Sequence, residues 1–201
     1  MAGEAAGASR SSPLIGRMGG VLNIPEYTYC GGARKAIAEI KEGAFSGIGN
    51  LLSVSLPDSI EEIGNYAFSR CCSLSSVRLP SRLTCINKGA FEYCAFDTLA
   101  FPESVTRIRE AAFRSCRSLT SVKLPRYLED IGVLAFVMCD LRDLYIPDSV
   151  KRIGERAFFC NANLAKVSMP KRMHVGKNAF NLREEGLLAE KAKVFYRQNR
   201  S

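Results

Sequence analysis

Phenylalanine falls on a ruler in this chain. Phe45, Phe68, Phe91, Phe113, Phe136, Phe158 and Phe180 are separated by steps of 23, 23, 22, 23, 22 and 22 residues. Six of the eight prolines keep step, with Pro57, Pro80, Pro102, Pro125, Pro147 and Pro170 each lying 11 or 12 residues after a phenylalanine. Self-similarity at such a period marks an array in which each copy is one supersecondary unit. The shared frame is I-x-x-x-A-F-x-x-C-x-x-L-x-x-V-x-L-P-x-x-V-x-x. The second copy fits it throughout, with Ile63, Ala67, Phe68, Cys71, Leu74, Val77, Leu79, Pro80 and Leu83 in place. The other copies start at Ile40, Ile86, Ile108, Ile131, Ile153 and Val175. Where a copy is one residue short, the gap usually lies between the cysteine and the strand, as from Cys94 to Leu99 and from Cys139 to Leu144.

A unit of this size cannot fold alone, because its few apolar side chains do not offset the entropy of ordering its backbone. Stacked copies solve this by covering each other's apolar faces and pairing short strands into a parallel sheet. The alternation before each proline, as in Leu119, Val122 and Leu124, predicts a short strand with its aliphatics inward. The A-F-x-x-C segment, a small residue before a large one, predicts a single helical or 3-10 turn packed on that strand. After the proline an extended piece such as 104–108 closes the coil with Val105 and Ile108 inward.

This frame resembles the BspA-like class of leucine-rich repeat, with its C-x-x-L-x-x-V-x-L-P-x-x-V-x-x-I signature, over about 140 residues of the chain. The resemblance implies an α/β right-handed leucine-rich-repeat solenoid with parallel strands on its concave face. It also implies a binding or scaffolding role without catalysis. Members of the family include surface adhesins and interaction proteins.

The expected organisation has four parts. Residues 1–20 hold 5 Gly, 4 Ala and 3 Ser and read as a disordered tail. Residues 21–39 read as a degenerate capping repeat. Val21-Leu22-Asn23-Ile24-Pro25 echoes the strand and its proline, and an insertion interrupts it around Tyr27, Tyr29, Cys30, Gly31 and Gly32. The array proper runs over 40–180. Within 181–201, Asn181 and Glu184 resemble a capping box, and Leu187, Leu188, Ala192 and Phe195 lie at near-helical spacing, predicting a C-terminal capping helix.

Composition bears on function mainly by exclusion. With 47% hydrophobic and 24% charged residues the chain is that of a globular protein, and no apolar run reaches the length of a membrane span. The absence of a secretory signal pattern gives a cytoplasmic expectation, with the nucleus as a second possibility. The net charge of +8 keeps nucleic acid and anionic lipid in view. Between Ile40 and Phe180, however, 19 basic and 14 acidic residues are mixed along the chain. Eight cysteines suggest disulfides or zinc, yet Cys71, Cys94, Cys116 and Cys139 all lie three residues after a repeat phenylalanine. Stacked in one column they are too far apart for disulfides, and no C-x-x-C pair exists to hold zinc; buried, reduced thiols are expected. His174 is the only histidine and has no triad or metal motif around it. The adjacent pairs Glu61-Glu62, Glu129-Asp130 and Glu184-Glu185 point to opposite faces in extended chain and read as surface ion pairs. No catalytic residue, cofactor or metal is assigned.

The outward strand positions remain. One column reads Ser53, Ser76, Thr98, Ser121, Asp143 and Lys166, the other Ser55, Arg78, Ala100, Lys123, Tyr145 and Ser168. A few large polar residues on a background of small ones suit a protein contact, with Arg78, Lys123, Asp143, Tyr145 and Lys166 as binding residues. The expected function is a monomeric, non-catalytic adaptor or scaffold. The first alternative is a binder of an anionic surface or nucleic acid through Arg107, Arg109, Lys151, Arg152 and the C-terminal basic residues; the second is an adhesin-like surface protein.

Overall fold

The structure is a computed structural model and describes residues 20–180, together with the backbone of Lys193–Arg197. The expected tail therefore lies outside the described residues except for Gly20, whose carbonyl accepts the Leu52 N–H at 2.6 Å. The chain winds into a parallel β-solenoid of about six turns.

Each coil contributes one strand to each of two faces. On the first face lie β1 (Val21–Asn23), β5 (Ser53–Ser55), β7 (Ser76–Arg78), β9 (Thr98–Ala100), β11 (Ser121–Lys123), β13 (Asp143–Tyr145), β15 (Lys166–Pro170) and β17 (Lys193–Arg197). On the second lie β4 (Glu39–Ile40), β6 (Glu62–Ile63), β8 (Cys85–Ile86), β10 (Arg107–Ile108), β12 (Asp130–Ile131), β14 (Arg152–Ile153) and β16 (His174–Val175). All pairings along these faces are parallel and join equivalent frame positions, as in Val54 with Val77 and Ile131 with Ile153. The middle residues Val54, Leu99, Val122, Leu144 and Val167 are buried, as the alternation predicts. The insertion at the N-terminal end is an antiparallel hairpin, β2 (Tyr27–Cys30) and β3 (Ala33–Ala36), turned by Gly31 and Gly32 at positive φ.

The turn around each phenylalanine differs from expectation, since no helical or 3-10 turn forms among the described residues. The reason is a left-handed residue on either side of the ring. Positive φ recurs two residues before and two after the phenylalanine, at Tyr66 and Arg70, Ala111 and Ser115, Leu134 and Met138, and Arg156 and Cys160. A right-handed helical run cannot continue through such residues, each of which costs a non-glycine on the order of 1 kcal/mol. The compensation is intermolecular in style but within one chain: alternate N–H groups turn along the array axis. Tyr66, Phe68 and Arg70 donate to the carbonyls of Lys88, Ala90 and Glu92 in the next coil at 2.8 to 2.9 Å. The Phe113 and Phe136 N–H groups repeat this onto Ala135 and Ala157 at 2.8 and 2.7 Å.

Inside, the seven phenylalanine rings form one stack, with neighbouring centroids 5.2 to 5.7 Å apart and planes within 10° of parallel. Parallel rings at these separations lie within the range of favourable aromatic contacts. The column three residues further on does hold thiols. Cys71, Cys94, Cys116 and Cys139 are buried and donate to the carbonyls of Phe45, Phe68, Phe91 and Phe113 at 3.1 to 3.4 Å. In the next coil Asn161 takes the slot. Its Nδ2 donates to the Phe136 and Phe158 carbonyls, each at 2.9 Å, and its Oδ1 accepts the Leu141 N–H at 3.1 Å. On the second face glycine lets the coils close up: a Cβ on Gly132 would lie 2.6 Å from the Arg109 carbonyl carbon and 2.7 Å from the Glu110 nitrogen.

The expected C-terminal helix is corrected in part. Residues 181–192 lie outside the described residues, but Lys193–Arg197, including Phe195, is a strand that pairs in parallel with β15. Its V-F-Y run suits a strand and extends the first face by one rung.

Two outcomes test this core. Asn161→Ala leaves two carbonyls and one N–H without their partner and is expected to cost about 3 kcal/mol in urea unfolding, whereas Asn161→Cys, which restores the thiol donor used elsewhere, costs less than half as much. Burial pushes the Cys71 thiol up to about 11 and the Cys116 thiol to about 12, and also raises Cys94 and Cys139. Above the ordinary thiol value of 9.0 the unfolded chain therefore holds fewer protons than the folded one, and stability falls as pH rises from 9 towards 11. Denaturation midpoints at pH 8 and pH 10.5 check this; a flat profile contradicts the buried column.

Candidate protein-binding face

The parallel register turns the first face into two in-line columns of outward side chains. Ser53 sits beside Ser76, Thr98 beside Ser121, and Asp143 beside Lys166; in the second column Ser55 sits beside Arg78, Ala100 beside Lys123, and Tyr145 beside Ser168. The ladder is broken twice, between β7 and β9 and between β11 and β13. Both breaks coincide with the coils that are one residue short, at Cys94 to Leu99 and Cys139 to Leu144. In a full-length coil the N–H groups of Ser75 and Ser76 both reach the Leu52 carbonyl; at the second break Arg142 N–H reaches the Thr120 carbonyl at 3.1 Å.

At that second break a cleft of about 560 Å³ opens on the face. Its walls bring Lys123 and Tyr145 together, over the edges of Val122 and Leu124 and against Pro147. Tyr145 is 57% exposed. Glu103, Arg126 and Asp148 complete the rim. The other three expected binding residues are placed apart from this cleft. Asp143 and Lys166 are exposed register neighbours beyond it. Arg78 is tied to its own coil junction, with its guanidinium 3.1 Å from Asp58 and donating to the Leu56 carbonyl at 2.9 Å.

The rim residues were open to discovery in the sequence. The position after each repeat proline reads Asp58, Ser81, Glu103, Arg126, Asp148 and Lys171, so an acid occurs in every second coil. The structure shows why. The Asp58 carboxylate accepts the Ser81 N–H and Glu103 accepts the Arg126 N–H, both at 2.9 Å. The Ser81 N–H and the Arg78 guanidinium hold the Asp58 carboxyl below the usual carboxylate range. Asp58 and Glu103 thus each fasten one proline turn to the next.

Of the alternative basic set, Arg107, Arg109, Lys151 and Arg152 lie on the second face, where Lys151 and Arg152 are compensated, and the side chains of the C-terminal basic residues lie outside the described residues. Arg152 forms a two-pronged pair with Asp130 at 3.0 and 2.6 Å, and Lys151 pairs with Glu129 at 2.7 Å. Arg109 Nε approaches Cys85 Sγ at 3.4 Å. Of the adjacent carboxylates, Glu61, Glu129 and Asp130 form the expected ion pairs, with Glu61 3.8 Å from Arg82, while Glu62 accepts from the Asn87 amide and Glu184-Glu185 lies outside the described residues. His174 is exposed on β16 beside Arg152. Among the described residues no cluster of three potential metal ligands occurs, and no helix is long and apolar enough to cross a membrane.

Comparison with known proteins agrees with this architecture. The BspA type Leucine rich repeat region matches residues 38–165 in six copies. Among solved structures, the pneumococcal vaccine antigen PcpA is 25% identical with a TM-score of 0.67, the match covering 78% of this chain and 42% of that one. The leucine-rich repeat protein TpLRR of T. pallidum is 26% identical with a TM-score of 0.54, covering 89% and 87% respectively. A leucine-rich repeat protein from Bacteroides ovatus ATCC 8483 is 22% identical with a TM-score of 0.43, covering 80% of this chain and 60% of that one. No curated protein matched. With six in-register copies of the repeat over most of its described length, the chain belongs to the BspA-type leucine-rich repeat family.

Proposed function

We propose that this protein is a non-catalytic interaction module that engages another protein through the face carried by β5 to β15, with Lys123 and Tyr145 as its central contacts. The observation that carries the reading is the cleft at the β11/β13 break. It presents a large exposed aromatic ring beside a lysine on a face whose other outward positions are mostly serine, threonine and alanine, with Arg78, Asp143 and Lys166 set apart from the cleft. Aromatic anchors with a polar rim are the usual energetic centre of a protein contact. Family membership supports the same reading, because leucine-rich repeat arrays commonly serve protein interaction or surface adhesion. The mixed charge of the face and the pairing of Lys151 and Arg152 weigh against a nucleic-acid groove, which needs a continuous basic track with stacked aromatics. The four buried thiols Cys71, Cys94, Cys116 and Cys139, each donating to a backbone carbonyl, suit a reducing compartment.

A photocrosslinking residue placed at Tyr145 in cells is expected to give discrete protein adducts that disappear on Lys123→Glu. The same probe at Arg107, on the second face, gives none of these. Identical adduct patterns from both positions contradict the assignment.

A further inference from the structure

Resting on that reading, we propose the chemistry of what the β11/β13 cleft takes: an extended peptide segment of a partner protein carrying an apolar side chain next to a carboxylate. The cleft floor is apolar, with the edges of Val122 and Leu124 and the ring of Pro147, and Tyr145 stands over it as an exposed wall. A volume of about 560 Å³ has room for one large apolar side chain and its flanking backbone.

The charge at the rim selects the neighbour. Glu103 is already engaged twice by Arg126, through its N–H at 2.9 Å and its guanidinium at 3.7 Å, and Asp148 also has a partner within the chain. Lys123 is different: it is exposed and has no ion pair among the described residues. The open charge at the cleft is therefore cationic. An acidic residue beside the apolar anchor completes it, whereas a basic one meets Lys123 and Arg126 with both local carboxylates occupied. The site lies where the ladder between β11 and β13 is interrupted, in the coil that is one residue short from Cys139 to Leu144.

The test is selection of a randomised twelve-residue peptide library on the intact immobilised protein, followed by affinity measurement of the enriched peptides on variants. Lys123→Glu, Tyr145→Ala and the second-face control Arg107→Glu are exposed substitutions, and an unchanged thermal melt verifies their folding. The expected result is enrichment of sequences with an aliphatic or aromatic residue adjacent to Asp or Glu. Their affinity falls at least tenfold on Lys123→Glu and on Tyr145→Ala, and stays within twofold on Arg107→Glu. Peptides that lose binding on Tyr145→Ala but are basic, or bind Lys123→Glu undiminished, overturn the acidic specificity while leaving the face as the contact. No enrichment, or peptides indifferent to both cleft substitutions, overturns the cleft itself, and the crosslinking from Tyr145 then decides separately whether the face binds protein.

Discussion

The hydrogen bond from each repeat phenylalanine N–H to the alanine carbonyl one coil ahead organises the molecule. Five of these bonds lie between 2.7 and 2.8 Å and the sixth at 2.9 Å. To make them, the chain accepts two left-handed residues per turn, most of them not glycine, and keeps only alternate local bonds, such as Ser69 N–H to the Tyr66 carbonyl at 3.0 Å, in place of a continuous helical run. The local strain and the bond to the next coil are therefore one device. It fixes the axial step, and the step places ring over ring and thiol over carbonyl.

From that step the two faces follow. A fixed register puts Ile and Val inward on both faces and leaves the alternate positions outward as columns. The first face is not a uniform surface, because two short coils interrupt its ladder. The turn after the cysteine tolerates a deletion since the core positions on either side stay anchored by the stack and the strand. The deletion coincides on the outside with the interrupted ladder between β11 and β13, where the cleft between Lys123 and Tyr145 lies. A distinctive place on an otherwise repetitive surface thus coincides with a one-residue change in a connecting turn. The acids at Asp58 and Glu103 keep the neighbouring proline turns fastened.

Much of this was legible in the residues. The spacing of Phe and Pro announces the coil, L-x-x-V-x-L its strand, and the cysteine column its burial, because each is a periodic apolar signal read in register. The turn conformation was legible only in part, through Gly43, Gly47, Gly89 and Asn178 at its left-handed positions. Left-handed positions filled by Tyr66, Leu134 or Met138 carry no glycine or asparagine signature, and the bonds that stabilise them run to residues more than twenty positions away. A-F-x-x-C therefore looks locally like a helical turn. Asn161 was likewise missed beside the conspicuous Cys160, although it alone sits at the correct spacing from Phe158. The five outward residues chosen for binding are all exposed, but the sequence could not show that Arg78 is tied to Asp58. Nor could it show that only Lys123 and Tyr145 share a cleft, since that depends on the broken ladder. The alternation of acids after proline was visible as a period of two coils and needed only to be looked for at twice the repeat length.

The most direct measurement of the central claim is scalar coupling across hydrogen bonds by NMR in deuterated, doubly labelled protein. The account predicts couplings from the amide nitrogens of Phe68, Phe91 and Phe113 to the carbonyl carbons of Ala90, Ala112 and Ala135. Couplings instead to carbonyls four residues earlier in the chain, as in a helix, or none at all between successive coils, would contradict it.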